Sequence, residues 1–283
     1  MQGQQDCYHF KIGNFDCSIF RDTLSPMKID HFFPDLAETY IQRLSKQFDI
    51  PPFENFEVMC LLVKTGNHTI LVDTGCGIGT QADTGKLIPN LQAERIKLQE
   101  IDRIIITHGH PDHIGGNIDL KGKSVFTGAR YFVFRKEWEF WTSGTDLIQV
   151  EDSIKKSMIA SAQKKLLPLQ DQIELVDTDN EVQPGIKFIL ASGHTPGQGI
   201  LLISSGTDKL LCVSDLFHHP LLLAKPDLYV PYDISPEDAI KTRNHLLSQF
   251  VTPGLLVFGC HLPFPGLGYI EPRGDGWVWK PIS

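Results

Sequence analysis

Four apolar runs in this chain each end on a histidine or an aspartate, and that recurrence restricts the fold more than any other feature. Ile104-Ile105-Ile106 leads into Thr107-His108-Gly109-His110-Pro111-Asp112-His113. Phe188 to Ala191 leads into Ser192-Gly193-His194-Thr195-Pro196-Gly197. Leu210 to Ser214 runs up to Asp215, and Leu255 to Cys260 runs up to His261. Short apolar runs of this kind read as buried strands. The loops leaving the carboxyl ends of strands are where α/β proteins build their sites. Four such ends can converge on one edge of a sheet, so these residues are expected to meet.

Three histidines and an aspartate lie within the six positions 108 to 113. Packing does not call for such a cluster. Imidazole and carboxylate are the ligands that borderline and hard divalent metals accept. The cluster alone can hold one ion, and His194, Asp215 and His261 supply donors for more.

The order HxHxDH, then a lone histidine, an aspartate and a final histidine, resembles the metallo-β-lactamase superfamily from about Phe56 to the end of the chain. The resemblance implies an α/β (α+β) fold, an αββα sandwich of two mixed sheets packed face to face, with helices outside and metals at one edge. Residue by residue, it implies that His108, His110 and His194 hold a first metal. Asp112, His113 and His261 hold a second, and Asp215 bridges the two. Zinc is the expected metal, and iron, manganese or cobalt suit the same ligands. Leu71-Val72-Asp73-Thr74-Gly75 resembles a further family motif, in which Asp73 orients a ligand imidazole. Histidine rather than glutamate at position 110 separates the chain from the diiron flavoprotein branch and favours hydrolysis. In such a metal pair a bridging water is acidified to hydroxide near neutral pH and acts as the nucleophile. The residues expected to take part in the chemistry are Asp112, Asp215 and His218.

Asp215-Leu216-Phe217-His218-His219-Pro220 and His261-Leu262-Pro263-Phe264-Pro265-Gly266-Leu267-Gly268 resemble the branch that holds N-acyl homoserine lactonases and methyl-parathion-hydrolase-like enzymes. Many lactonases carry tyrosine three residues after the bridging aspartate. Here that position is His218, which can also donate a hydrogen bond to a substrate oxygen. His219 is expected to be structural. Phe20, Phe32, Phe33, Phe264 and Leu267 are expected to line an apolar pocket for an acyl chain or aryl group. The resemblance thus implies a dinuclear metallohydrolase that opens lactones or cleaves activated esters, with phosphotriesters as side substrates and a homodimer as its assembly. The alternatives are a glyoxalase-II-like thioesterase and a non-catalytic metal-binding protein. The first usually carries a basic, helical C-terminal domain, whereas this chain ends on a strand-like, Trp-rich tail.

Length and charge narrow the reading. A chain of 283 residues without a Gly/Ser/Pro linker or a repeat is expected to form one domain, 1–283. A helical insert at about 136–167 is expected to act as a lid or dimer surface. With 26 basic and 34 acidic residues the net charge is −8, which argues against nucleic acid as a partner. No run of 18 apolar residues suggests a membrane span. The first residues lack a basic segment and an apolar core, so the expected location is cytoplasmic. The six cysteines, at 7, 17, 60, 76, 212 and 260, show no CxxC spacing and are expected to be reduced core residues. Strand alternation is expected to turn Cys260 away from its neighbour His261, leaving it without a metal role. His9, His31, His68 and His245 lie outside the cluster and receive no role.

Periodicity predicts strands at 8–12, 15–20, 131–134, 173–177, 186–191, 199–204 and 209–214, and a hairpin of 56–64 with 68–73. Helices are predicted over Leu36–Phe48, Leu91–Gln99 and from Pro236, capped by Ser235, to Phe250. Gly266 to Ile282 is expected to close the fold as one or two strands.

Overall fold

The apolar runs become two sheets. The computed structural model describes residues 6–52, 55–78, 84–143 and 153–282. The first sheet orders β1 (Cys7–Ile12), β2 (Phe15–Pro26), β3 (Asn55–Lys64), β4 (Thr69–Val72), β5 (Arg103–Ile105), β6 (Arg130–Phe134) and β7 (Ile173–Val176) side by side. The second orders β8 (Asn180–Gln183), β9 (Ile186–Leu190), β10 (Gly199–Ser205), β11 (Asp208–Cys212), β12 (Leu256–Phe258), β13 (Leu267–Arg273) and β14 (Gly276–Pro281). The helices are α1 (Glu38–Gln47), α2 (Leu87–Ala93), α3 (Pro111–Ile114), α4 (Arg135–Thr142), α5 (Ser153–Leu166), α6 (Leu221–Ala224) and α7 (Pro236–Gln249).

Both sheets are mixed. β1 to β4 pair antiparallel, and β4 to β7 pair parallel. In the second sheet β11 and β12 are parallel and the other neighbours antiparallel. Parallel neighbours need a crossover, and helices α2 to α5 supply those of the first sheet. α6 and α7 connect β11 to β12. The carboxyl ends of β4, β5, β11 and β12 therefore end in loops rather than tight hairpins, which leaves room for a site.

The sheets face each other across one core. Met59, Leu61, Val63, Ile70 and Ile105 meet Phe188, Leu201, Ile203, Leu210 and Phe258 there. The alternate residues of the same strands face outward. Cys60, Leu62, Leu71 and Ile104 pack under Leu87, Trp141, Ile159 and Leu166. Leu211, Val213 and Val257 pack under Ile41, Leu44, Leu222 and Leu246. Strands covered on both faces lose the hydrophobic–polar alternation of a half-exposed sheet, which is why they read as continuous apolar runs. The result is the expected αββα sandwich.

Some local expectations differ. The helix expected at 91–99 is α2, three residues after which Ile96 is already out of the helix. Arg95 adopts φ 59°, a left-handed conformation that stops the helix, and the Ile96 amide turns back to Leu91 O at 2.9 Å. β8 had no sequence signal, being a short strand with two exposed residues of its four. Ser235 precedes α7 but its hydroxyl donates to Asp238 Oδ2 at 2.8 Å rather than capping a backbone amide. The insert contains α4 and α5, and its residues 144–152 lie outside the described residues. Among the described residues no helix is long and apolar enough to cross a membrane.

Candidate metal centre

Asp215, only 2% exposed, follows β11 and lies between two groups of ligands. Its Oδ2 is 3.6 Å from His108 Nε2 and 3.4 Å from His194 Nε2. Its Oδ1 is 3.1 Å from His113 Nε2 and 3.2 Å from His261 Nε2. His110 completes the first group, with Nδ1 3.1 Å from His108 Nε2 and 2.8 Å from His194 Nε2. Asp112 adjoins the second, with Oδ2 3.5 Å from His113 Nε2 and 3.6 Å from His261 Nε2. Every sequence-predicted ligand is thus brought to one edge of the sandwich, at the ends of β5, β9, β11 and β12.

The donor set fits divalent cations. Bonds of 2.0–2.1 Å at a tetrahedral zinc keep ligand atoms about 3.3 Å apart. The separations observed here run from 2.8 to 3.6 Å. Burial holds the His108 and His110 imidazoles well below their usual range, so both rings are neutral and each keeps one nitrogen lone pair able to ligate. The 3.1 Å and 2.8 Å separations at His110 Nδ1 are spanned by a shared N–H, or by a cation that accepts the lone pairs instead. In the second group burial opposes charge on His113 and His261, but the carboxylates of Asp215 and Asp112 outweigh it and raise both. The buried carboxylate of Asp215 and the partly exposed one of Asp112 demand positive charge there, which metal ions supply as well as protons do. His113 Nε2 is buried and makes no hydrogen bond.

A further set of groups holds the ligand rings in place. His113 Nδ1–H donates to Asp73 Oδ2 at 2.8 Å, and Asp73 also accepts from Thr107 N and Oγ1 at 2.8 and 2.7 Å. This is the orienting contact expected of Asp73. His194 Nδ1–H donates to Asp233 Oδ1 at 2.9 Å, and His261 Nδ1–H donates to the Glu57 carbonyl at 2.7 Å. Such contacts fix the tautomer, leaving Nε2 free to ligate. Arg243, wholly buried on α7, donates to Leu216 O at 2.8 Å and sits 3.8 Å from Asp233 Oδ2.

Glu137 ties the ligand loops together, and nothing in the sequence singled it out. Its Oε1 accepts from Gly109 N–H at 2.8 Å and from Trp141 Nε1–H. Its Oε2 accepts from Thr195 Oγ1 at 2.7 Å and Gly197 N–H at 2.9 Å. One oxygen therefore grips the loop of His108 and His110, and the other the loop of His194. Gly109 and Gly197 permit this approach, because a Cβ would lie 2.4 Å from Trp141 and 2.1 Å from Glu137. Charged residues on an amphipathic helix ordinarily face solvent, so the residue's type gave no warning.

His218 is buried, with Nε2 3.0 Å from Asp215 Oδ2, its ring parallel to that of His261, and a buried Nδ1 that makes no hydrogen bond. His219 is buried apart from the centre, and its Nδ1 accepts from Leu221 N–H at 3.1 Å. Cys260 departs from expectation. Its Sγ lies 3.4 Å from Asp215 Oδ1, among the donor atoms of the second group. β12 ends at Phe258, so strand alternation no longer governs where residue 260 points. Burial and the nearby Asp215 charge push its thiol up and keep the proton on sulfur.

A cavity of about 450 Å³ opens onto the centre. His110, Asp112, His194, Asp215 and His218 lie on it, together with Met27, Phe32, Phe56, Met158 and Tyr232. Of the five residues expected to form its wall, Phe32 does so. Phe20, Phe33 and Leu267 instead fill the three cores, and Phe264 lies beneath the Arg21 guanidinium. Apolar residues near a site in sequence are first claimed by the layers of the sandwich.

Comparison with known proteins agrees with this geometry. The model of the metallo-beta-lactamase superfamily matches residues 54–261. An N-acyl homoserine lactonase of Bacillus cereus is 27% identical over 180 residues, which cover 56% of this chain and 63% of that protein. The match thus spans less than two thirds of that relative. Among solved structures, AidC, a dizinc quorum-quenching lactonase in complex with a product, superposes with TM-score 0.88 at 30% identity over 99% of both chains. The hydrolase AbOPH shares the fold with TM-score 0.90 at 24% identity, over 100% of this chain and 99% of that one.

Proposed function

The protein belongs to the metallo-beta-lactamase superfamily, and on that premise we propose that it is a dinuclear metal-dependent hydrolase that opens the ring of N-acyl lactones. The observation that carries the proposal is the division of the Asp215 carboxylate, with Oδ2 turned to one histidine group and Oδ1 to the other. His108, His110 and His194 would hold one ion, and Asp112, His113 and His261 the other, with zinc the best fit to an imidazole-rich set. The chemistry such a pair supplies is Lewis acidity, which polarises a carbonyl oxygen and acidifies water.

The chain's own side chains do the rest. Asp215 keeps the two ligand groups in one register. His218 lies on the cavity beside Asp215, and its Nε2–H, 3.0 Å from Asp215 Oδ2, is placed to turn to the carbonyl oxygen of the ester. Asp112, an ionised carboxylate on the cavity wall, is placed to take up the proton that the attacking water releases and to pass it to the alcohol oxygen that leaves when the ring opens.

The wall supports an acyl substrate. Met27, Phe32, Phe56 and Met158 present apolar surface next to a polar floor, a division that suits an acyl chain attached to a polar ring. Relatives named as N-acyl homoserine lactonases favour the same substrate class. Aryl esters and phosphotriesters would share the centre but use the wall less well.

The test is a panel assay on protein loaded with zinc, manganese or iron. Short- and long-chain acyl homoserine lactones, an aryl ester, a phosphotriester and a glutathione thioester are compared, with His108→Ala as blank. Lactone opening at kcat/KM above about 10⁴ M⁻¹s⁻¹ is expected. Preference for the thioester, or no turnover of any substrate by metal-loaded protein, would overturn the proposal.

A further inference from the structure

Away from the centre, three side chains of unlike chemistry point at one another. Cys7 and His9 are two residues apart on β1 and so share a face. Glu94 ends α2. His9 Nε2 is 3.6 Å from Cys7 Sγ and 3.2 Å from Glu94 Oε2, and the three donor atoms all lie within 4.8 Å of one another. The other ring nitrogen, Nδ1, pairs with Ser18 Oγ at 2.8 Å.

We propose that Cys7, His9 and Glu94 form a surface site for a borderline divalent cation such as Zn²⁺, built from none of the residues of the dinuclear centre. The distances fit. Zinc bonds of about 2.3 Å to sulfur and 2.0–2.1 Å to nitrogen or oxygen set tetrahedral separations of about 3.5 Å for S···N and 3.3 Å for N···O. When the Ser18 hydroxyl accepts Nδ1–H, the Nε2 lone pair is left facing the thiol and the carboxylate, as the bound ion requires. His9 Nε2 lies at hydrogen-bond distance, 3.2 Å, from Glu94 Oε2, and a bound cation would take the place of the proton between them. The ion ligates His9 through that lone pair and Glu94 through Oε2, and one proton leaves Cys7 for solvent as the thiolate binds. Burial and the Glu94 charge push the Cys7 thiol up to about 12, so loading should tighten as pH rises.

The site has a structural consequence. β1 is the outermost strand of its sheet among the described residues. A bound ion would link it to the end of a helix that lies 85 residues further along the chain from His9. Three protein ligands leave a fourth position for water.

This inference does not rest on the hydrolase reading. The test is equilibrium dialysis of metal-loaded protein against Zn²⁺ at pH 8, comparing wild type, Cys7→Ser and His9→Ala. Wild type should retain one more zinc per chain than either variant. Loading with Co²⁺ should give a near-ultraviolet thiolate-to-metal band that weakens in Cys7→Ser. Equal zinc content in all three proteins, with a Co²⁺ band that Cys7→Ser leaves unchanged, would overturn the proposal.

Discussion

Asp233 accepts the Nδ1 proton of His194 at 2.9 Å, and the two side chains are both buried. The residues come from separate segments 39 positions apart. Their contact makes the geometry of the first ligand group depend on the loop that precedes α7. Burial alone would raise the Asp233 carboxyl, but the His194 contact and the Arg243 charge hold it below the usual carboxylate range. It stays ionised, and so remains an acceptor that fixes the ring.

Replacing Asp233 by asparagine should therefore weaken metal binding without unfolding the protein. A loss of about 10–100-fold in metal affinity or activity is the usual size for such a contact. Competition with a chelator measures it. Unchanged affinity would mean that backbone packing alone aims His194.

Asp215→Ala should remove more. Both ligand groups lose their shared carboxylate, so the paired ions and nearly all activity should go while circular dichroism stays close to wild type. Metal analysis of the purified variant decides the matter. Two retained ions with full rate would show that Asp215 does not bridge.

His218→Ala should separate binding of metal from turnover. With the ions retained, kcat on lactones should fall by about 10²-fold, the size of losing one donor to a developing oxyanion. His218→Gln, which keeps a donor, should recover part of the loss. Loss of metal in His218→Ala would make it a ligand instead.

His219 predicts a pH dependence of stability. Burial lowers its pKa to about 3, against about 6.5 in an unfolded chain. The unfolded state thus binds more protons between those values, so stability is full above about pH 6.5 and is lost as pH falls toward 3. The slope from this residue is at most about 1.4 kcal/mol per pH unit. Urea melts across that window should show a shallower fall for His219→Gln than for wild type, and equal slopes would refute the assignment.

Met27→Trp should shorten the acyl chain that the cavity accepts. Each methylene kept out of the wall costs about 0.8 kcal/mol, roughly a fourfold rise in KM. The variant should retain activity on short-chain lactones and lose it progressively on longer ones. An unchanged chain-length profile would place the acyl group elsewhere.

The sequence by itself determined most of the strands and singled out the candidate donors. Ile104–Ile106, Phe188–Ala191, Leu210–Val213 and Leu255–Phe258 are apolar because each is covered on both sides, and that burial is written in composition. The donors that follow them are legible because few residue types ligate metals. What only the tertiary structure decided is how residues far apart in the chain meet. Glu137 reads as an ordinary helix-surface charge until its two oxygens are seen to grip loops 28 and 60 residues away, at Gly109 and Gly197. Asp233 lies in a segment without periodicity, and Cys260 changes direction because its strand stops two residues earlier. His9 and Glu94 carry no local signal at all, since their meeting depends on where α2 docks against the first sheet. Local pattern records what a residue needs from its own element. Contacts between elements follow from packing two sheets and their helices, and no single stretch of sequence contains that information.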